Sequence, residues 1–415
     1  MPTDSPERQF ACDTVDRLRD AGYDALWAGG CVRDELLGRT PKDYDVATSA
    51  TPEEVIALFG KRRTVAVGAS FGVVMVLGPR RECGQIEVAT FRADGDYLDG
   101  RRPESVSFCS AEEDARRRDF TINGIFFDPR TNQVIDYVNG QTDLNAGLIR
   151  AIGDPRARFQ EDKLRVLRAV RFAATFAFEL EAETATAVKE LASQLTVVSV
   201  ERIAQELRRM LAHPTRSSSV QWLLKLNLAV QIPGLDPADW PDADRLLPCL
   251  NQLQLPRFET SMACLMTPQL DWASTTRKTI TAQCRQLKLS NEEADCIQWL
   301  IAGCPDAALG DALALSRRKP LLHDERAPLL LDLLRATGHP QAAEFLQQYR
   351  TRTNAAELNP PPLITGQDLM QLGHQPGPQF KQILAMIRDE QLDERLTDRD
   401  AALRRVAELW EEDGG

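Results

Sequence analysis

The chain has 415 residues and a net charge of −11, with 50 Lys and Arg against 61 Asp and Glu. That length exceeds one compact domain, and the acidic balance excludes a uniformly basic nucleic-acid coat but not a local basic groove. No run of about 18 apolar residues occurs, which excludes a membrane-spanning helix.

Glycine use divides the chain. Residues 1–155 hold fifteen of the 24 glycines, residues 156–355 hold four, and residues 356–415 hold five. Glycine marks turns and close backbone approaches, so a turn-rich α/β region should come first and a long helical stretch after it. In Ala25-Leu-Trp-Ala-Gly-Gly-Cys-Val-Arg-Asp34 an apolar strand runs into Gly29-Gly30 and then a helix carrying Arg33, Leu36 and Leu37. The β-branched runs Thr64–Gly68, Gly72–Leu77 and Gln85–Phe91 predict a small mixed sheet. Past Arg156 the apolar spacing turns helical, with Ile203, Leu207, Met210 and Leu211 at i, i+4, i+7 and i+8. Leu358-Asn-Pro-Pro-Pro-Leu363 breaks the helical run, and residues 379–391 and 397–412 predict two more helices. No repeat or low-complexity tract is present. The N-terminal MPTDSPERQF has no apolar core of a secretory signal, and nine cysteines without a C-x-x-C pair read as reduced thiols. A cytoplasmic protein is expected.

Chemistry first shows at Gly29-Gly30. Two glycines let the backbone approach a phosphate, and Arg33 adds donors and positive charge. The spacing is not G-x-G-x-x-G, so a dinucleotide-binding turn is a poor reading, and alone the turn is equally well structural. Lys42-Asp-Tyr-Asp-Val-Ala47 follows. On a strand, period 2 puts Asp43 and Asp45 on one face, where two carboxylates repel unless a divalent cation neutralises them. Mg²⁺ suits such a pair, since it takes one or two carboxylates and completes its shell with phosphate oxygens. Glu87 lies at the centre of a separate apolar strand; its plain reading is an edge residue facing water. Together, three carboxylates and a Gly-Gly/Arg cradle make a two-metal nucleotidyl-transfer site the reading to test.

The strings GGCVRDELLGRTPKDYDVATSATPEEV, RRPESVSF, RRDFTINGIFFDP and IRAIGDPRARFQEDKLRVLRAVRFAA resemble, in order, motifs of the bacterial class II tRNA nucleotidyltransferases, the CCA-adding enzymes and poly(A) polymerases. The likeness is close over residues 20–215, and LITGQDLMQLGHQPGPQFKQILAMIRDEQLDERL is similar to that family's C-terminal segment. It implies an α+β fold: a polymerase-β-like nucleotidyltransferase head with a mixed sheet over residues 1–150, then an all-α neck (151–216), body (217–355) and tail (356–415). By this resemblance Asp43 and Asp45 are metal ligands; Glu87 is kept as a third candidate catalytic carboxylate from its place on a separate apolar strand. Gly29, Gly30 and Arg33 hold the triphosphate. Arg118 and Asp119 contact triphosphate and ribose, with Asn123 close by. Asp162 and Arg165 read the base edge of CTP or ATP, and Arg168 and Arg171 add triphosphate contacts.

The base-reading assignment also has a spacing argument. Asp162, Arg165 and Arg168 lie at i, i+3 and i+6, one side of a helix, with Leu164, Leu167 and Val170 as the docking stripe. Their plain reading is a solvated ion-pair face. Residues 150–171 nevertheless carry seven basic side chains against three acidic ones, a local excess that fits a phosphate-facing groove. Asn139 takes a position where the family has glycine; asparagine tolerates positive φ, so the turn should survive. The lone pair His323-Asp324 does not make a histidine–aspartate phosphohydrolase domain.

The expected reaction is therefore Mg²⁺-dependent transfer of CMP or AMP from CTP or ATP to the 3′ end of tRNA, without a membrane or an obligatory protein partner. The loop Arg92–Pro103 looks intact, which favours CCA or terminal-A addition over CC addition. The rival readings are a poly(A) polymerase on general RNA ends and a catalytically silent tRNA-binding protein. Val67-Gly-Ala-Ser-Phe-Gly72 argues against the first, and the complete carboxylate set against the second.

Overall fold

A computed structural model of the chain describes residues 5–68, 72–94, 106–267, 271–272 and 275–413. Part of the Val67–Gly72 string and most of the Arg92–Pro103 loop lie outside the described residues. The chain forms two compact units, Met1–Met210 with Trp222–Ile232, and Leu211–Gln221 with Pro233–Gly415.

The first unit is α+β. Its head strands are β1 (Ala25–Ala28), β2 (Asp45–Thr48), β3 (Thr64–Gly68), β4 (Val73–Leu77), β5 (Gln85–Thr90), β6 (Arg92–Asp94), β7 (Val106–Phe108), β8 (Ile125–Asp128) and β9 (Gln133–Asp136), and a short parallel pair, β10 (Leu148–Ile149) with β11 (Glu179–Leu180), puts one two-residue strand inside the otherwise helical neck. Seven of them make one mixed sheet in the order β3-β4-β5-β2-β1-β8-β9, and β6 and β7 pair separately. The β-branched runs thus become strands where the sequence places them. Within this sheet β2 and β5 run parallel, in a register that sets Asp45 opposite Glu87. Because β5 lies between β4 and β2, Glu87 is on an interior strand and not at an edge, although its side chain is exposed as the plain reading has it.

Alternation along β1 decides what each face carries. Leu26 and Ala28 join Ala47, Phe91, Ala115 and Phe126 in a core on one side. Trp27 points to the other, packed 4.9 Å from Tyr44 and 5.4 Å from Phe127 between ring centroids.

Helices α1 (Pro6–Asp20), α2 (Gly30–Leu36), α3 (Pro52–Phe59), α4 (Ala111–Arg116) and α5 (Gly140–Ala146) surround the sheet. Then come α6 (Pro155–Glu161), α7 (Arg165–Phe176), α8 (Ala182–Glu190) and α9 (Val200–Leu211). The first residue of α7 is Arg165, and Asp162 stands outside both flanking helices with φ −138° and ψ 104°. Asp162, Arg165 and Arg168 are therefore not one helical face. The docking stripe is as expected: Leu164, Leu167 and Val170 are buried. Asn139 adopts φ 60° and ψ 28°, the left-handed turn that glycine would otherwise supply. The next residue, Gly140, is obligatory, since a Cβ there would sit 2.2 Å from the Thr121 carbonyl oxygen.

The second unit is helical throughout its described residues. Beyond the Pro360–Pro362 break, the helices Pro378–Leu392 and Arg399–Asp413 bury Phe380, Ile383, Ile387, Ala402, Val406 and Leu409 in a core of their own. No described helix is long and apolar enough to cross a membrane, and all nine cysteines are free thiols.

Candidate active site

The carboxylates come from two parallel neighbours, β2 and β5, with Glu87 inside β5. Asp45 opens β2, while Asp43 sits in the bend before it rather than on the strand. The alternation survives that departure because Tyr44 is pinned on the opposite side: its hydroxyl donates to Glu35 Oε1 at 2.9 Å, and its ring packs on Trp27. Asp43 and Asp45 thus face one cleft. Burial, then Glu87, then Asp43 push the Asp45 carboxyl up to about 7, against the pull of Arg118. Glu87 is also raised, by burial and by Asp43. Carboxylates buried this close together disfavour each other's charge, and raised values of this kind gather at functional sites.

Opposite the carboxylates lies a set of arginines in a cleft of about 750 Å³. Gly29 turns β1 into α2 with φ 71°, and a Cβ there would come within 2.9 Å of Arg118 Nη1. Glycine is required for that approach. Gly30 opens α2, which turns Arg33 into the same cleft. Arg33 donates to Asn123 Oδ1 at 2.6 Å and to Asp34 Oδ1 at 2.9 Å.

The Ser110/Glu113 capping box starts α4, so that its buried Asp114 meets the arginines just past the helix end. Asp114 Oδ1 accepts from Arg117 and Oδ2 from Arg118. Asp119 is fully engaged: Oδ1 accepts from Asn123 Nδ2 at 3.0 Å, and Oδ2 from Arg168 at 2.6 Å. Burial works to raise its pKa, yet Arg168, the Asn123 bond and Arg165 hold it at about 2. Its oxygens are committed to orienting Arg168 and Asn123, a more structural arrangement than direct nucleotide contact alone.

Asp162, Arg165, Arg168 and Arg171 all line this cleft. The Asp162 and Arg165 side chains have separate partners. Arg165 Nη1 donates to Glu161 Oε2 at 2.5 Å and to the Arg158 carbonyl at 2.9 Å. Asp162 Oδ2 accepts from Arg202 Nη2 at 2.7 Å. Arg171 donates to Glu206 Oε2 at 2.6 Å, and Arg209 donates to the other oxygen of Glu206 at 3.1 Å. Sequence reasoning missed Asp114, Arg202, Glu206 and Arg209. The usable signal was on α9: a polar row at positions 202, 206 and 209, beside the apolar row already read as helical.

Comparison with known proteins sets this site in a family. Residues 25–150 match the poly A polymerase head domain. Residues 177–239 match a probable RNA- and SrmB-binding site of polymerase A, and residues 267–407 a tRNA nucleotidyltransferase domain 2. A CCA-adding enzyme of Streptococcus sanguinis is 36% identical over 386 residues, covering 91% of each chain. The chain belongs to the CCA-adding enzyme family. Another family member, from Geobacillus thermodenitrificans, is 44% identical over 237 residues, so that the match spans only 57% of either chain. The crystal structure of the Bacillus stearothermophilus CCA-adding enzyme in complex with CTP superposes with a TM-score of 0.78 at 28% identity, over 99% of this chain and 98% of that one.

Proposed function

We propose that this CCA-adding enzyme family member extends the 3′ end of tRNA with CMP and AMP, taken from CTP and ATP, in the cytoplasm and without a nucleic-acid template. The observation that carries the reading is that Asp43 and Asp45 share one cleft with a ring of arginines, with Glu87 beside Asp45 on the neighbouring strand. We assign residues 1–150 to the catalytic head, 151–216 to a base-selecting neck, and 217–355 and 356–415 to a tRNA-binding body and tail.

The donor set fits Mg²⁺. The carboxylates are hard oxygen ligands; burial first, then repulsion from Glu87 and Asp43, raises Asp45 to about 7, and a divalent cation would offset both. Among the described residues no three acidic, His or Cys side chains close into a metal cage. A cation that keeps one or two carboxylates and fills its shell from the triphosphate needs none. Asp43 and Asp45 would hold such ions, which when bound acidify the attacking hydroxyl and neutralise charge on the leaving pyrophosphate.

The chain's own residues do the rest. Gly29 and Gly30 admit the triphosphate to the backbone, and Arg33, Arg118, Arg168 and Arg171 offer it donors already aimed by their carboxylate partners. The 3′-hydroxyl of the RNA attacks the α-phosphorus; the bond to the β-phosphate oxygen breaks and pyrophosphate leaves. Asp162 accepts from the exocyclic amine that cytosine and adenine share, while Arg165 donates to ring acceptors. Uracil and guanine present a carbonyl there and leave the carboxylate unmatched, a cost of about 1–3 kcal/mol.

One assay tests the reading. Purified protein is given tRNA lacking CCA, tRNA lacking only the final A, or an unrelated RNA, with each labelled NTP separately. Addition of C to the first and A to the second supports it. Extension of unrelated RNA with A supports the poly(A) polymerase that the head-domain match keeps in play, and no incorporation anywhere leaves only RNA binding.

A further inference from the structure

Helix α9 carries a polar row with no part in the motifs read above. Arg202, Glu206 and Arg209 follow at i, i+4 and i+7 and line the cleft, while Ile203, Leu207 and Met210 are buried. Arg202 reaches across 40 residues of sequence to Asp162 Oδ2 at 2.7 Å, and the Leu164 N–H donates to Oδ1 at 3.0 Å. Asp162 stands between helices with an extended backbone, so neither ladder hydrogen bonds nor helical rotamer limits fix its side chain. Its two anchors do. The Arg202 and Asp162 side chains keep 19% and 16% of their exposure, so the pair borders the cleft instead of being sealed in a core.

We propose that Arg202 positions Asp162 for base reading and thereby sets the exclusion of UTP and GTP. The proposal rests on the reading of Asp162 as the base acceptor. A carboxylate oxygen has two lone pairs. Arg202 occupies one on Oδ2 and Leu164 one on Oδ1, and this fixes the plane in which the remaining pairs can accept. A carboxylate only accepts, so a pyrimidine or purine carbonyl meets an acceptor in turn. Freed from Arg202, the carboxylate rotates away and water can solvate a carbonyl in its place. Arg202 itself touches no base; it acts through Asp162.

The test measures kcat/KM for CTP, ATP, UTP and GTP on tRNA lacking its terminal residues. It compares the unchanged protein with Arg202→Gln, Arg202→Lys, Asp162→Ala and the double variant Arg202→Gln/Asp162→Ala. Arg202→Gln should raise UTP use relative to CTP about tenfold, an amount equal to one hydrogen bond's worth of orientation. Arg202→Lys, which restores the charge but not the fork, should recover part of the exclusion, and the double variant should discriminate no worse than Asp162→Ala alone. If Arg202→Gln and Arg202→Lys slow all four nucleotides by one factor while Asp162→Ala relaxes selection, Arg202 is only structural and the proposal fails. If Asp162→Ala still excludes UTP, the base-acceptor reading itself falls, and this proposal with it.

Discussion

Asp45 should make the protein less stable than its own amide variant. With its carboxyl raised to about 7 by burial, Glu87 and Asp43, the folded chain holds that proton more tightly than the unfolded chain, where the ordinary value is 3.8. The cost of ionising Asp45 therefore appears above pH 4, grows until about pH 7 and stays complete beyond it. Worked through proton linkage, it is at most about 2 kcal/mol at pH 5 and about 4 kcal/mol at pH 8. Asn has the same shape and no charge. Asp45→Asn should then raise the melting temperature of the first unit at pH 8 in EDTA, by up to roughly 8–16 °C at about 2–4 °C per kcal/mol for a unit of this size. The gain should shrink at pH 5. Adding Mg²⁺ should stabilise the unchanged protein and leave the variant unmoved. The assay is a thermal scan at the two pH values, with and without Mg²⁺. An Asp45→Asn variant that melts lower than its parent at pH 8 in EDTA would refute the reasoning, since it would show the carboxylate to be stabilising without a cation.

Four other outcomes follow from the same geometry. Asp43→Ala should lower kcat for nucleotide addition about a thousandfold, ~4 kcal/mol, with tRNA affinity by filter binding unchanged; a tenth of normal activity would remove Asp43 from the mechanism. Gly29→Ala puts a Cβ 2.9 Å from Arg118 Nη1 at a φ of 71°, so KM for CTP should rise severalfold and stability fall by about 1–3 kcal/mol, read by chemical denaturation. Glu206→Ala leaves Arg171 and Arg209 without their shared carboxylate and should cost about 3 kcal/mol of stability, with weaker triphosphate binding by calorimetry. At Asn139, whose φ is 60°, glycine should leave the melting curve in place while valine lowers it by about 1–2 kcal/mol.

How far the sequence could be read depends on the range of the interactions involved. The strands at 64–68, 73–77 and 85–90 were legible because period-2 apolar runs between glycines are a local signal. Asp43, Asp45 and the Gly29-Gly30 turn were legible because each motif is built within a few residues. Glu87 was flagged by its oddity, a charge amid Ile86 and Val88, but its place opposite Asp45 is set by a parallel crossover that no local pattern encodes. The error at 162–168 has the same origin. Continuous helical spacing fails across a stretch where the chain leaves α6 and re-enters a helix at Arg165, so Asp162 does not share a helix side with Arg165 and Arg168. Its partner is Arg202, 40 residues on.

That pairing pattern also explains why the site looked ordinary in sequence. The plain reading of Asp162, Arg165 and Arg168 is a solvated ion-pair face, and in the structure these and the other arginines of the cleft are in ion pairs. Arg33 is tied to Asp34, Arg117 and Arg118 to Asp114, Arg165 to Glu161, Arg168 to Asp119, Arg171 and Arg209 to Glu206, and Arg202 to Asp162. The plain reading and the functional one are therefore not alternatives. Arginines crowded against one another would splay into water; each held by a carboxylate behind it keeps its outer donors aimed at the cleft. Such aim costs no reorganisation when a triphosphate arrives, and preorganised donors in a partly closed cleft contribute more than the same donors in water. The acidic partners make this possible, and they are one reason a protein of net charge −11 can maintain a phosphate-facing surface. Asp43, Asp45 and Glu87 stand apart from this pattern: burial and mutual repulsion raise Asp45 and Glu87, and under the proposed function a bound cation would be their counter-charge.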